Sequence, residues 1–158
     1  TIETEATGHM NDSVDESPGS DLSAAASELR MATFRLARRL RAQRAVDAMS
    51  DGQFAVLAAL TVHGEHTLGQ LADRERVTAP SMNRTVSLLE EAGFVSRTPD
   101  AGDRRKVTIA LTSAGTAVVD ETVRRRDAWL EKALADLDAE ERATLTRAAE
   151  IMRKVAER

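Results

Sequence analysis

From Asp21 onward, apolar residues recur with a helical period. At about 100° per residue, Leu22, Leu29, Leu36 and Leu40 fall on one narrow stripe, with Arg30, Arg35, Arg38, Arg39, Arg41 and Arg44 around the rest. This predicts a long first helix beginning at Asp21. Ser50 with Gln53 forms a capping box for a second helix running from Phe54 to about Val62 and closed by Gly64. Thr67 with Gln70 repeats the device before a short third helix carrying Leu68, Leu71 and Ala72. Thr78 caps a fourth, which runs through Met82, Val86 and Leu89 and stops at Gly93.

After Gly93 the period changes from helical to alternating. Phe94 to Arg97 and Val107 to Leu111 read as two strands joined by Thr98-Pro99-Asp100-Ala101-Gly102-Asp103, a segment full of turn formers. Helical spacing resumes at Thr112, with Val119, Val123, Leu130, Leu134 and Leu137 expected on one face. A last helix opens at Asp138 with Glu141 completing a capping box, and groups Leu145, Ala148, Ala149, Met152 and Ala156. The expected fold is mainly α with a small two-stranded β-wing: a winged helix-turn-helix over residues 47–112, with a helical dimerisation region formed by 21–46 and 113–158. Terminal helices with apolar stripes have little to cover them in so small a chain. A second copy would bury them, which predicts a homodimer.

Composition refines this picture. The chain has 158 residues with 42% hydrophobic and 30% charged positions, values of an ordinary globular domain. It has no Cys, which removes disulfides, iron–sulfur clusters and thiol redox sensing. The most apolar stretch, Phe54 to Val62, is far shorter than the roughly 20 residues that cross a bilayer, and no signal segment opens the chain; a cytoplasmic protein without membrane contact is expected. The formal charge of −4 argues against a nucleic-acid partner until its distribution is considered. Residues 1–28 carry Glu3, Glu5, Asp12, Asp15, Glu16, Asp21 and Glu28 with no Lys or Arg, and without them the chain is net basic. Residues 1–20 read as a disordered acidic tail, in which Gly8-His9 ahead of Met10 looks like a cloning remnant.

Two segments carry the candidate chemistry. On the fourth helix, Pro80, Ser81, Arg84, Ser87 and Glu91 lie opposite the apolar side, with Asn83 and Thr85 at the two edges. Such a helix fits the major groove of B-DNA, where Arg grips guanine O6 and N7 and Asn pairs with adenine, while short hydroxyl side chains suit phosphates or nearby base edges. Any amphipathic helix has a solvated face, and it is the basic hairpin that follows which favours DNA. Arg104, Arg105 and Lys106 would bring cations to the DNA backbone or the minor groove, with Asp103 orienting Arg105 through a bidentate pair. The expected DNA-binding set is therefore Ser81, Asn83, Arg84, Thr85, Ser87, Asp103, Arg104, Arg105 and Lys106.

These same stretches carry a family resemblance. Leu-Leu-Glu-Glu-Ala-Gly-Phe-Val-Ser-Arg at 88–97, Asp103-Arg104-Arg105, and Ile109-Ala110-Leu111-Thr112-Ser113-Ala114-Gly115 resemble the MarR family of bacterial transcriptional regulators, and the similarity extends over roughly residues 22–157, including Gln53-Phe54-Ala55-Val56-Leu57. The resemblance implies a homodimer whose recognition helices enter successive major grooves of a pseudo-palindromic operator and whose wings touch minor grooves. It also implies a regulator that usually represses and that releases DNA when a small, often aromatic or phenolic, effector binds between the dimer helices and the DNA-binding lobe. Arg84 matches the family's recognition-helix arginine, and Asp103 and Arg105 match its wing pair. The cysteines of the family's peroxide sensors are missing, so thiol oxidation is not the trigger.

The remaining candidates are weaker. Phe34 and Trp129 are large rings on helices expected near the dimer interface, and so are candidates for an effector pocket, although such rings more often simply pack. His63, Glu65 and His66 cluster after the second helix, but a structural zinc site needs four ligands, and the expectation is a solvated loop with no metal and no cofactor. No nucleophile-elbow, dinucleotide-binding, phosphate-loop or zinc-protease motif occurs, so no enzyme is expected. The competing class is a winged-helix protein-interaction module without sequence-specific DNA binding.

Overall fold

The computed structural model describes residues 18–99 and 107–157. In chain order these form α1 (Pro18–Ala42), α2 (Asp51–His63), β1 (His66–Thr67), α3 (Leu68–Glu75), α4 (Ala79–Glu91), β2 (Val95–Pro99), β3 (Val107–Leu111), α5 (Ser113–Ala135) and α6 (Ala139–Ala156). The chain divides into two units, residues 1–38 and 39–158. The described part of the first unit is the helix opening at Pro18, earlier than the expected Asp21, because proline's fixed φ suits a first helical turn. Its apolar side chains Leu22, Leu29, Phe34 and Leu36 are exposed.

In the second unit, side-chain caps set where the helices begin. Ser50 Oγ accepts from the Gln53 amide at 3.1 Å while Gln53 Oε1 accepts from the Ser50 amide at 2.7 Å. Thr67 and Gln70 make the same reciprocal pair, as do Asp138 and Glu141. Each satisfies amides that the helix cannot, worth about 1 kcal/mol per cap. Between these starts, Val56, Leu57 and Leu60 of α2, Leu71 of α3, and Met82, Val86 and Leu89 of α4 close on Val95, Ile109 and Val119 as one buried core.

The sheet has three antiparallel strands in the order β1-β3-β2, where two were expected. β1 pairs His66 with Ile109 and Thr67 with Thr108, so His66 is a strand residue and not part of a loop. A strand of two residues shows no alternation, yet it covers the open edge of β3. On the other side β2 and β3 pair from Val95↔Leu111 to Pro99↔Val107.

The base of this hairpin is tied to both neighbouring helices. Gly93 turns the chain out of α4 at φ 79°, a left-handed conformation that glycine adopts without a Cβ penalty. Thr112 then binds that turn twice, its amide donating to Phe94 O at 3.1 Å and its hydroxyl to Gly93 O at 2.6 Å. The same hydroxyl accepts from the Gly115 amide at 3.1 Å and so caps α5. Gly115 sits so close to the Phe94 carbonyl that a Cβ would overlap its oxygen, which is the physical content of the Leu-Thr-x-x-Gly motif.

The α5 face differs from the expected one. Val119 is buried, but its buried companion is Thr122, and Val123 is 45% exposed. Thr122 takes that place because its Oγ1 accepts from the Ala45 amide at 3.1 Å, holding the segment between α1 and α2. Leu137 lies beyond the end of α5 and shares no face with it. The α1–α2 segment is also held by Arg44, whose Nη1 donates to Met49 O at 2.6 Å, and by Arg125, whose Nη1 donates to Arg44 O at 2.8 Å. Glu121 accepts from Arg124 and Arg125. Hydrogen bonds from Arg124 first, then Arg125, lower its carboxyl from 4.5 to about 2. In α6 the side chains Leu145, Ile151, Met152 and Val155 are exposed, and none of its residues is buried.

Gly115→Ala is expected to destabilise the fold by at least about 2 kcal/mol, because backbone must shift to admit the methyl group; urea unfolding measures it. Glu121, depressed in the folded state, contributes stability above its unfolded value of 4.5 and loses it as pH falls toward 2. The gap in urea midpoint between wild type and Glu121→Gln should therefore narrow as pH drops from about 5 to about 2.5.

Candidate nucleic-acid interface

The turn between α3 and α4 is tight. Arg76 is left-handed at φ 53°, and the Val77 amide donates back to Ala72 O at 3.0 Å. Thr78 then caps α4 through the Ser81 amide, with Pro80 in the first turn, where its missing N–H costs nothing. Met82, Val86 and Leu89 lock one side of α4 into the core. On the outer side Ser81 and Arg84 are exposed. Thr85 is half-buried, and its hydroxyl donates to Ser81 O at 3.2 Å, so it back-bonds its own helix.

Asn83 and Ser87 occupy a different flank. Asn83 is exposed and Ser87 half-buried, and both are engaged by Arg97 of β2. The Arg97 fork donates from Nη1 and from Nη2 to Asn83 Oδ1, each at 3.2 Å. Nη2 also reaches Ser87 Oγ at 3.1 Å and Asn83 O at 3.4 Å. Glu90 completes the group, its Oε2 lying 3.2 Å from Arg97 Nε as an ion pair; this N–H is not aligned for a hydrogen bond. Positions 83, 87 and 90 are four and three apart, hence stacked along one side of the helix.

In the sequence Arg97 reads as a strand residue without a role. The missed signal was parity. Arg97 shares the inward face of β2 with buried Val95 and pairs with buried Ile109, so its side chain must meet whatever packs there. An arginine at an inward strand position beside a helix offering Asn, Ser and Glu at helical spacing could have been paired with it.

Of the expected hairpin residues, Asp103, Arg104, Arg105 and Lys106 lie outside the described residues. The flanking strands pair up to Pro99 and Val107, and the Thr108 hydroxyl donates to Thr98 O at 3.3 Å.

The candidate effector rings fare differently. Phe34 is 57% exposed on α1. Trp129 is half-buried, with the Arg39 guanidinium 5.9 Å from its ring centroid. It lines a shallow cavity of about 300 Å³ together with Gln43, Arg124, Arg125, Ala128 and Lys132. Nearby, Arg126 stacks 4.3 Å over Phe54, and burial pushes its guanidinium below the usual value. His63 accepts from Arg74 at 2.9 Å, and His66 Nδ1–H donates to Gly64 O at 2.9 Å. These bonds commit one nitrogen of each ring to a protein partner. Among the described residues no helix is long and apolar enough to cross a membrane.

The family model described as MarR family matches residues 49–107. An HTH-type transcriptional regulator of Mycobacterium tuberculosis is 39% identical over 80% of this chain and 89% of the relative. The HTH-type transcriptional repressor NicR of Pseudomonas putida is 32% identical over 59% of each chain. Among solved structures, a MarR family protein from Bacillus stearothermophilus superposes with a TM-score of 0.77 at 21% identity, covering 90% of this chain and 99% of that one. A mutant of MepR from S. aureus, bound to an oligodeoxyribonucleotide, matches with a TM-score of 0.65 at 20% identity over 84% and 97% of the two chains.

The two charged partners on the α4 flank should differ in worth. Arg97→Ala removes three exposed hydrogen bonds to Asn83 and a partly buried one to Ser87, and is expected to cost about 1 to 2 kcal/mol of folding stability. Glu90→Gln removes only an exposed ion pair and should stay within about 0.5 kcal/mol of wild type in the same urea titrations.

Proposed function

This chain belongs to the MarR family of transcriptional regulators, and we propose that it acts as a homodimer that binds a pseudo-palindromic operator in double-stranded DNA. The observation that carries the reading is the presentation of α4. Three apolar residues seat the helix, its start is capped, and the side opposite the core offers Arg84 and Ser81 to solvent. In this reading Arg84 reads guanine in the major groove, Ser81, Asn83, Thr85 and Ser87 support it through base edges and phosphates, and Arg104, Arg105 and Lys106 grip the adjacent backbone or minor groove with Asp103 orienting Arg105. Residues 47–112 form the DNA-binding lobe.

Residues 21–46 and 113–158 form the dimerisation region. What supports this is the exposed apolar surface on α1 and on α6, where Leu22, Leu29, Ile151 and Val155 face solvent in a single chain. A symmetric partner covers such surfaces and places two copies of α4 at a fixed spacing, so operator half-sites lie about one helical turn, roughly 10 base pairs, apart. Repression is the proposed sign of regulation, supported by relatives named as repressors. The proposed location is the cytoplasm, where a bacterial regulator meets chromosomal DNA. The proposed effector is a small aromatic molecule, with Trp129 and Phe34 each a candidate ring for its contact. It releases DNA to the extent that it prefers a dimer whose two α4 helices are wrongly spaced.

The test is selection of genomic fragments by the purified protein, followed by titration of the recovered site. Affinity should fall steeply with salt, and sedimentation should give a dimer. Arg84→Ala should cost about 1 to 3 kcal/mol and relax base preference, whereas Lys106→Ala should weaken all sequences alike and lower the salt slope by about 1. Equal binding of wild type to all duplexes would favour a protein-interaction module instead.

A further inference from the structure

We infer that Arg97 sets what the recognition helix can read: by occupying the Asn83 side-chain oxygen, it leaves Asn83 a hydrogen-bond donor only, so this position engages acceptors on DNA and cannot select adenine. The inference rests on the proposal that α4 enters the major groove, and adds a specificity rule to it.

The chemistry leaves one orientation for the amide. A guanidinium carries N–H groups and no acceptor, so the group of Asn83 facing it must be the carbonyl oxygen and not the NH2. That oxygen has two lone pairs, and it receives two donors, Nη1 and Nη2 of Arg97, each at 3.2 Å. Its acceptor capacity is filled. The half of the exposed Asn83 amide left for another partner is the Nδ2 amino group. The pairing that makes asparagine an adenine reader needs both halves of the amide at once, the oxygen accepting from adenine N6 and the nitrogen donating to N7. With the oxygen committed, only donation remains. It can go to guanine O6 or N7, to adenine N7 or to thymine O4, and it gives no advantage to adenine over guanine.

Arg97 is held in this role from several directions. Its Nη2 also donates to Ser87 Oγ at 3.1 Å and to Asn83 O at 3.4 Å, and Glu90 lies 3.2 Å from its Nε. The carboxylate of Glu90 balances the guanidinium charge and so favours keeping Arg97 on the helix flank. Breaking the fork to liberate Asn83 Oδ1 would expose several donors without partners at a side chain only 28% exposed. Arg97 is therefore a positioning residue: it acts on DNA through Asn83.

The experiment compares base-preference profiles, obtained by binding a randomised operator library and sequencing the bound fraction, for wild type, Asn83→Ala and Arg97→Ala, each first checked for folding by circular dichroism. Asn83→Ala should weaken binding to the selected operator by about tenfold through the lost donor, and leave every adenine-over-guanine preference in place. Arg97→Ala should change the profile at one base pair in each half-site, where freed Oδ1 now lets adenine compete with guanine. If Asn83→Ala erased an adenine-over-guanine preference, or a folded Arg97→Ala variant kept the wild-type profile at every position, the inference would be overturned. Should Arg97→Ala fail to fold, the Asn83→Ala profile decides alone. A wild-type profile without preference at any position would instead remove the DNA-reading proposal beneath it.

Discussion

One guanidinium connects the strand that follows α4 back to α4 itself. Arg97 reaches Asn83, Ser87 and Glu90 from β2, and these three sit along a single helix flank. A helix that carries recognition chemistry needs two constraints, since hydrophobic seating fixes which side faces outward but tolerates small rotations about the axis. Met82, Val86 and Leu89 supply the first constraint. The fork supplies the second, because a planar guanidinium bonded at both terminal nitrogens resists such rotation in a way that apolar contacts do not.

The same logic extends to the base of the hairpin. Gly93, Phe94, Thr112 and Gly115 form a knot in which one hydroxyl both donates to the turn leaving α4 and caps α5. The absence of a Cβ at Gly115 lets the first turn of α5 lie against the Phe94 carbonyl. These bonds join the start of α5 to the turn before β2, and Arg97 joins β2 to α4. A further tie runs from α5 through Thr122 and Arg125 to the segment ahead of α2. If α5 is part of a dimerisation region, as proposed, these links provide a physical route by which subunit spacing and the orientation of the reading helix inform each other.

Much of this was legible in the chain before any coordinates. Ser50, Thr67, Thr78 and Asp138 announced their helices because a cap is a local event, requiring only a hydroxyl or carboxylate and an amide a few residues on. The core of α4 was visible in its period. What stayed hidden depended on partners distant in sequence. β1 exists only because β3 offers it an edge, and Thr122 takes a buried place ahead of Val123 because an amide at Ala45 needs an acceptor. In the sequence Arg97 is only the last residue of an expected strand, and the meeting of its strand face with the α4 flank reveals its contacts. Of the proposed DNA-reading set, Ser81 and Arg84 are exposed. Asn83 and Ser87 are shared with the fork, Thr85 is turned back on its helix, and residues 103–106 lie beyond the described ones.

The decisive question is where α4 goes when DNA is present. A crystal structure of the protein with its selected operator fragment measures this directly. The account requires a two-fold symmetric pair of chains, with Arg84 of each α4 within hydrogen-bond distance of a base edge in successive major grooves and Arg97 still bonded to Asn83. A complex in which α4 lay away from the groove, or in which one chain alone occupied the site, would contradict it.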